Sequence, residues 1–416
     1  MESATIIPVN SERKVIKEDV PVLLKGWDEM NNTGASYTPL EGGHLPNKRP
    51  LEEHLKYGYI SLDKPANPST HEVVSWIKRI LRVEKTSSTG TLDPAVTGEC
   101  VILLNRGSRL TKAQQEAGKQ YVCLCRLGDP TTKDPDFVMP TEQDVIRVLQ
   151  ELTGPLLQRP PEKSAVKRVL RVRKITNNTL LEYKPETRQI LFTSDCQAGT
   201  YMRTLCEHIG IMLRTTGTME ELRRSRSGHV SEMSAVTMHD LLDAQYHYDH
   251  TGSELLLREA IHPLEDLLVH HKRIIVKDSC INALCYGAPL HYQGILRYDA
   301  EIVEGDVIVL VSTKGEAIAL ATAGLSSFSL QNATFGIAAR IKRVIMDKDT
   351  YKQRWGKGPR ALQKKKLKED GMLDKYGRPN DRTPPEWFRK VILMKGEEEN
   401  RKEEGEGMPY KIQRTE

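Results

Sequence analysis

Apolar and polar positions alternate along this chain with two different periods, and the changes of period mark out its elements. Tyr59-Ile60-Ser61-Leu62 has strand length and ends at Lys64-Pro65, where a proline bars further ladder pairing. After Ser69 the period becomes helical. Val73, Ile77, Ile80 and Leu81 share one face, and Ser69 with Glu72 fits a Ser-x-x-Glu capping box. Lys78, Arg79 and Arg82 decorate the opposite side as a solvated face. Cys100 to Leu104 is an unbroken apolar run and predicts a buried strand. From Gln120 to Arg126 the alternation returns, with Tyr121, Cys123 and Cys125 on one face and Val122 and Leu124 on the other. A helix capped by Thr141 is predicted over 141–152, two or three strands over 169–192, and a glycine-led helix over 201–213. Residues 231–265 read as a mostly polar connection. From about Lys272 to Arg343 short strands alternate with turns, and Ser312-Thr313-Lys314-Gly315-Glu316 joins a hairpin; this spacing predicts a small all-β barrel. Residues 1–50 are polar and proline-punctuated around Val20-Pro21-Val22-Leu23-Leu24, as expected of an extension packed on a larger body.

Length and composition narrow the class. At 416 residues, with 38% apolar and 28% charged side chains, there is room for two or three domains of ordinary soluble character. No apolar run approaches the length of a membrane span. Seven cysteines, an odd number without Cys-x-x-Cys spacing, suit a reducing compartment, and no zinc site is expected. Tyr246-His247-Tyr248-Asp249-His250 lacks a third strong ligand and reads as exposed histidines rather than a metal tract. The net charge is +5, but 21 Lys and Arg against 14 Asp and Glu follow Ile341, so the basic excess lies in the tail. Tyr351 to Lys368 carries eight basic residues, no acid and Trp355; such a run is a solvated tail, a nuclear-targeting signal or a phosphate-binding patch. Bulk charge therefore gives no sign that the main body binds nucleic acid.

The candidate chemistry centres on Lys85 to Gly98, KTSSTGTLDPAVTG. Asp93 follows a glycine by three residues and precedes a proline, so it sits on a restricted turn at the edge of the buried Cys100–Leu104 run. It is either an Asx-turn residue that shapes the loop or a carboxylate aimed at a substrate.

GTLDPAVTG resembles the signature of the TruB-type pseudouridine synthases, and its surroundings resemble the dyskerin-like branch found in H/ACA ribonucleoproteins. Gly58-Tyr59-Ile60-Ser61-Leu62-Asp63-Lys64-Pro65, Ala117-Gly118-Lys119-Gln120-Tyr121-Val122, Gln158-Arg159-Pro160-Pro161 and Cys196-Gln197-Ala198-Gly199-Thr200-Tyr201-Met202-Arg203 carry the likeness in family order, over roughly residues 20–390. The resemblance implies an α+β fold: a mixed, mainly antiparallel catalytic sheet at 51–265, a PUA RNA-binding barrel at 266–345, an extension at 1–50 packed on that barrel, and a basic extension and tail at 346–416. It implies isomerisation of uridine to pseudouridine in rRNA and snRNA, without cofactor or metal. The expected partners are an H/ACA guide RNA and three small core proteins, and the expected location is the nucleus and nucleolus.

Residue by residue, the resemblance makes Asp93 the nucleophile and Arg203 the cation that orients it. An arginine stays charged when desolvated and grips a carboxylate with two bonds. Tyr121 becomes the aromatic that receives the flipped base, although β-propensity alone reads it as a core residue; Arg203, without the likeness, reads as a helix-surface residue. Lys64 and Ser88 complete the expected substrate-binding set, Lys64 in a mainly architectural role. Two departures stand out. Ser87-Ser88 replace the family's Gly-His, a histidine associated with base flipping, and Glu162-Lys163 replace an apolar pair beside the site. These imply a slower synthase, or alternatively a catalytically impaired scaffold that binds H/ACA RNA. A stand-alone tRNA synthase fits the barrel and long extensions less well.

Overall fold

The computed structural model describes residues 20–130, 138–161, 166–354 and 359–388, in two units divided between Gln353 and Arg354. The larger sheet of the first unit has ten strands. Five of them position the site: β1 (Gly58–Lys64), β2 (Thr97–Leu104), β3 (Lys119–Pro130), β4 (Gln189–Cys196) and β5 (Thr215–Ser227). Across the sheet the order is His262–Pro263, β1, β2, β5, β3, β4, Arg171–Lys184 and Gly154–Gln158. Every pairing is antiparallel except a short parallel junction of β2 with β5, at Thr97 opposite Arg223 and Gly98 opposite Arg224. Gly98 has φ +101°, and a Cβ there would overlap the Arg224 backbone oxygen, so only glycine allows the junction to close.

Two helices clasp this sheet. The first, α1 (Thr70–Ile80), starts with the expected capping box of Ser69 and Glu72. It buries Val73 and Ile77 among Ile60, Leu62, Cys100 and Ile102. The second, α2 (Met202–Met212), buries Leu205, Cys206 and Ile209 among Cys123, Cys125 and Phe192. Tyr121 packs against both clusters and so sits where they meet.

The smaller sheet has seven strands in the order Asn31–Asn32, Ile295–Tyr298, Arg273–Val276, Val307–Val311, Ala317–Ala323, Ile337–Val344 and Leu290–His291. The expected Ser312–Glu316 turn closes with Ser312 N–H donating to Glu316 O at 2.9 Å. The first strand in this order belongs to the N-terminal segment, pairing Asn31 with Tyr298. A third apolar cluster joins the pieces: Val101 and Leu103 of the larger sheet, Val309 and Val311 of the smaller, and Leu23 and Leu24 of the segment. Beside it the buried Arg49 guanidinium donates twice to Glu265, at 2.9 and 2.7 Å, and Glu265 also accepts the Ala317 N–H at 3.0 Å.

One segment departs from its sequence reading. Within 231–265 the chain forms helices at Met238–Thr251 and Leu255–Ala260. Thr237 and Asp240 form a capping box and Gly252 ends the first helix in a left-handed turn. Only a narrow stripe, including Leu241 and Ala244, faces the core, so the apolar period was too sparse to read. The Tyr246–His250 run lies on that helix, with the Tyr246 and His250 rings 3.9 Å apart. Among the described residues no side-chain cluster suits a metal ion. In the second unit a helix spans Pro359–Glu369, and Leu367 and Leu373 are buried; Trp355 lies outside the described residues.

Breaking a buried ion pair on one side leaves an uncompensated charge. Arg49→Leu is expected to cost roughly 3–5 kcal/mol in urea denaturation, and Arg49→Leu with Glu265→Leu to cost less than that single change.

Candidate active site

The loop between α1 and β2 is tied down from beneath. Lys64, at the end of β1, is fully buried, and its ammonium donates to the carbonyls of Pro65, Pro94 and Val96 at 2.7, 3.0 and 2.9 Å. The Thr70 hydroxyl accepts the Leu92 N–H at 2.9 Å and donates to the Leu92 carbonyl at 3.1 Å. Asn67 N–H reaches Pro94 O, and Val96 N–H reaches Asp93 O. Leu92 and Val96 point into the core, which leaves Asp93 half exposed at the crest. The α2 start is held as firmly. The buried Gln158 side chain accepts the Tyr201 N–H at 3.0 Å and donates to the Tyr201 carbonyl at 3.3 Å, and Arg173 donates to the Gly199 carbonyl at 3.0 Å.

These anchors bring Arg203 Nη2 to 2.9 Å from Asp93 Oδ2. The pair lies in a cleft of about 760 Å³ that Tyr121 and Ser88 also line. Three of the expected binding residues, Tyr121, Arg203 and Ser88, therefore share one hollow with Asp93. Lys64 does not line it. All three of its donors are used on backbone carbonyls, so none is left for a substrate; its place here is under the loop rather than in the cleft. Ser87 turns toward Thr111, with hydroxyls 3.0 Å apart. Glu162 and Lys163 lie outside the described residues.

The sequence reading passed over Arg224. It is 1% exposed, lines the same cleft, and donates Nε–H to the Glu99 carbonyl at 2.6 Å across the parallel junction. Its signal was the Arg223-Arg224 pair inside a strand: alternation must send one of two neighbours inward. Arg223 goes to the outer side, bidentate to Asp63 at 3.0 Å and bonded to Glu232 at 2.6 Å.

Burial dominates the electrostatics. It pushes the Tyr121 phenol up, with the Arg224 guanidinium beside it pulling the other way. Burial also pulls the Lys119 ammonium down to about 8, helped by Arg224. It pushes Glu99 up to about 8, against a 2.6 Å hydrogen bond from the Ser61 hydroxyl and the nearby Arg224 charge. The loop thus stands over buried cationic groups, a setting of positive potential that suits a bound polyanion.

Comparisons with known proteins match this architecture in four blocks. Residues 17–74 match the DKCLD (NUC011) domain and 78–202 the N-terminal domain of the TruB family of pseudouridylate synthases. Residues 203–269 match the C-terminal domain of tRNA pseudouridylate synthase B, and 272–345 the PUA domain. The chain is 52% identical over 377 residues to H/ACA ribonucleoprotein complex subunit 4 of Arabidopsis thaliana, covering 90% of itself and 65% of that relative. It is 51% identical to H/ACA ribonucleoprotein complex subunit cbf5 of Schizosaccharomyces pombe, covering 92% of itself and 79% of that protein. A chain from an H/ACA ribonucleoprotein bound to a substrate RNA containing 2′-deoxyuridine superposes with a TM-score of 0.70 at 37% identity, over 78% of this chain and 96% of that one. A chain of a Cbf5-Nop10-Gar1 complex gives 0.69 at 39% identity, over 77% and 94%.

Glu99 supplies a pH test. Its folded pKa lies above the unfolded value, so the folded state holds the extra proton and stability falls as pH rises from about 5 through 8. Glu99→Gln should flatten that fall, which amounts to up to roughly 4 kcal/mol, in urea denaturation between pH 5 and 9.

Proposed function

The chain belongs to the Cbf5/dyskerin family of H/ACA ribonucleoprotein subunits, and from that membership we propose that it is the pseudouridine synthase of a guide-RNA-directed particle. Its substrates are uridines in rRNA and snRNA. Its partners are an H/ACA guide RNA and three small core proteins, and it works in the nucleus, in the nucleolus, in ribosome biogenesis. The single observation that carries the reading is the Asp93–Arg203 pair at 2.9 Å in a cleft shared with Tyr121.

In this reading the target uridine leaves its stack and enters the cleft against the Tyr121 ring. Asp93 forms a bond to the nucleotide, and the N1–C1′ bond breaks. The base turns, C5 joins C1′, the bond to Asp93 breaks and returns the free carboxylate, the C5 proton leaves, and N1 takes a proton up. The atoms of the uridine are rearranged without net oxidation, so the chain's own groups suffice. Dividing one hard step into two through a covalent adduct is what a carboxylate nucleophile offers. Arg203 keeps Asp93 aimed, and the buried Arg224 supports positive potential beneath it. A second groove of about 840 Å³ is lined by six basic residues, among them Lys85, Arg106, Arg109 and Arg343, against three acids, Glu52, Glu84 and Asp347. Its charge suits an RNA backbone. Among the described residues no helix is long and apolar enough to cross a membrane.

Depletion followed by rescue, with pseudouridine mapping of rRNA, tests the reading. Wild type restores the modified sites and Asp93→Ala does not; Ser88→His raises the extent of modification at incompletely modified sites. Wild type that restores H/ACA RNA levels but none of the modified sites, with Asp93→Ala doing the same, would establish a scaffold instead.

A further inference from the structure

Three threonine hydroxyls in or beside the cleft have a partner. Thr86 gives its proton to the Val74 carbonyl, Thr200 to Gln197, and Thr204 to Arg159. Thr89 differs. It is 1% exposed, its backbone N–H is used on the Val101 carbonyl, and its Oγ1 has no hydrogen-bond partner among the described residues. Arg224, also 1% exposed, has an Nη2 in the same condition. Both residues line the Asp93 cleft. Gly90, the residue after Thr89, lies close to the same guanidinium: an added Cβ there would meet only Arg224 Nη1, at 3.5 Å.

A buried polar atom left unpaired is costly, and native chains leave few of them. Two at one functional cleft point to a ligand that completes them. A guanidinium only donates, and a hydroxyl can donate alongside it, so the missing group is an oxygen acceptor. Because neither position reaches the outer surface, a stacked base in an RNA helix does not touch it. Only a nucleotide extruded into the cleft delivers its oxygen there. We propose that the Thr89 hydroxyl, with Arg224 beside it, binds an oxygen acceptor of the extruded target nucleotide and holds that nucleotide against Asp93. This rests on the synthase reading and adds a binding residue to it. The acceptor is a uracil carbonyl or a phosphate oxygen of the same nucleotide.

The test uses the reconstituted ribonucleoprotein under single turnover with Thr89→Val, which keeps the shape and removes the hydroxyl, and Thr89→Ser, which restores it. Thr89→Val is expected to slow pseudouridine formation about 10- to 100-fold, the range of one well-placed hydrogen bond to substrate. Thr89→Ser should return to within a few fold of wild type. The Tm of free Thr89→Val should equal or exceed that of wild type, because a methyl replaces an unpaired hydroxyl. Target RNAs with 2-thiouridine or 4-thiouridine, or with phosphorothioates flanking the target, identify the acceptor. The substitution that slows wild type but not Thr89→Val marks the partner, and either source supports the proposal. Thr89→Val at the wild-type rate overturns it, as does a rate loss accompanied by a fall in Tm. If the wild-type particle makes no pseudouridine, the synthase reading fails instead. Affinity for target RNA then decides the contact: loss in Thr89→Val with recovery in Thr89→Ser supports it, and parity overturns it.

Discussion

The Asp93–Arg203 ion pair joins a loop to a helix start that is distant in sequence, and the rest of the structure serves to hold those two groups still. The pair alone has little holding power. Asp93 is 53% exposed and Arg203 31%, and pairs open to solvent contribute only about 0–1 kcal/mol. Its 2.9 Å geometry is therefore imposed from outside. Lys64 fastens three carbonyls at the base of the Asp93 loop, Thr70 clasps Leu92, and Gln158 clasps Tyr201. An enzyme that presents a carboxylate to its substrate needs this arrangement, because orientation has to precede the substrate.

Beneath the pair lies a belt of buried polar groups that is expensive in isolation. Arg224, Lys119 and Glu99 are all nearly out of solvent. Each is partly satisfied: Arg224 by the Glu99 carbonyl, Lys119 by the carbonyls of Gln114, Gln115 and Ala117, and the Glu99 carboxyl by the Ser61 hydroxyl. The parallel junction of β2 with β5 brings Arg224 into this belt, and Gly98 makes that junction possible. The backbone rule at Gly98 and the electrostatics at Asp93 are thus one constraint seen at two levels. Unpaired buried atoms remain on Thr89 and Arg224, two residues that line the cleft.

Much of this was legible in the chain. Ser69 with Glu72 announced α1, the Cys100–Leu104 run announced β2, and Gly315 announced the hairpin turn, because each signal is local. The likeness to the TruB-type family gathered Asp93, Tyr121, Arg203 and Ser88 before any geometry was known, and the cleft contains all four. What escaped was non-local. Lys64 was placed in the substrate-binding set in a mainly architectural role, but the three carbonyls that occupy its ammonium and keep it out of the cleft are set by the loop's path. Arg224 reads as one more charge in a basic strand until β2 is laid beside it. The Met238–Thr251 helix was hidden by a stripe of few apolar residues, since a helix with one shallow contact needs no more.

The central claim is that Asp93, aimed by Arg203, performs the covalent step on uridine. The most direct measurement is tritium release from RNA carrying 5-tritiated uridine at the target, using the reconstituted particle in excess. The account predicts one equivalent released per target with wild type and none with Asp93→Asn, while Asp93→Asn still binds the RNA. Release by Asp93→Asn at the wild-type rate would contradict it.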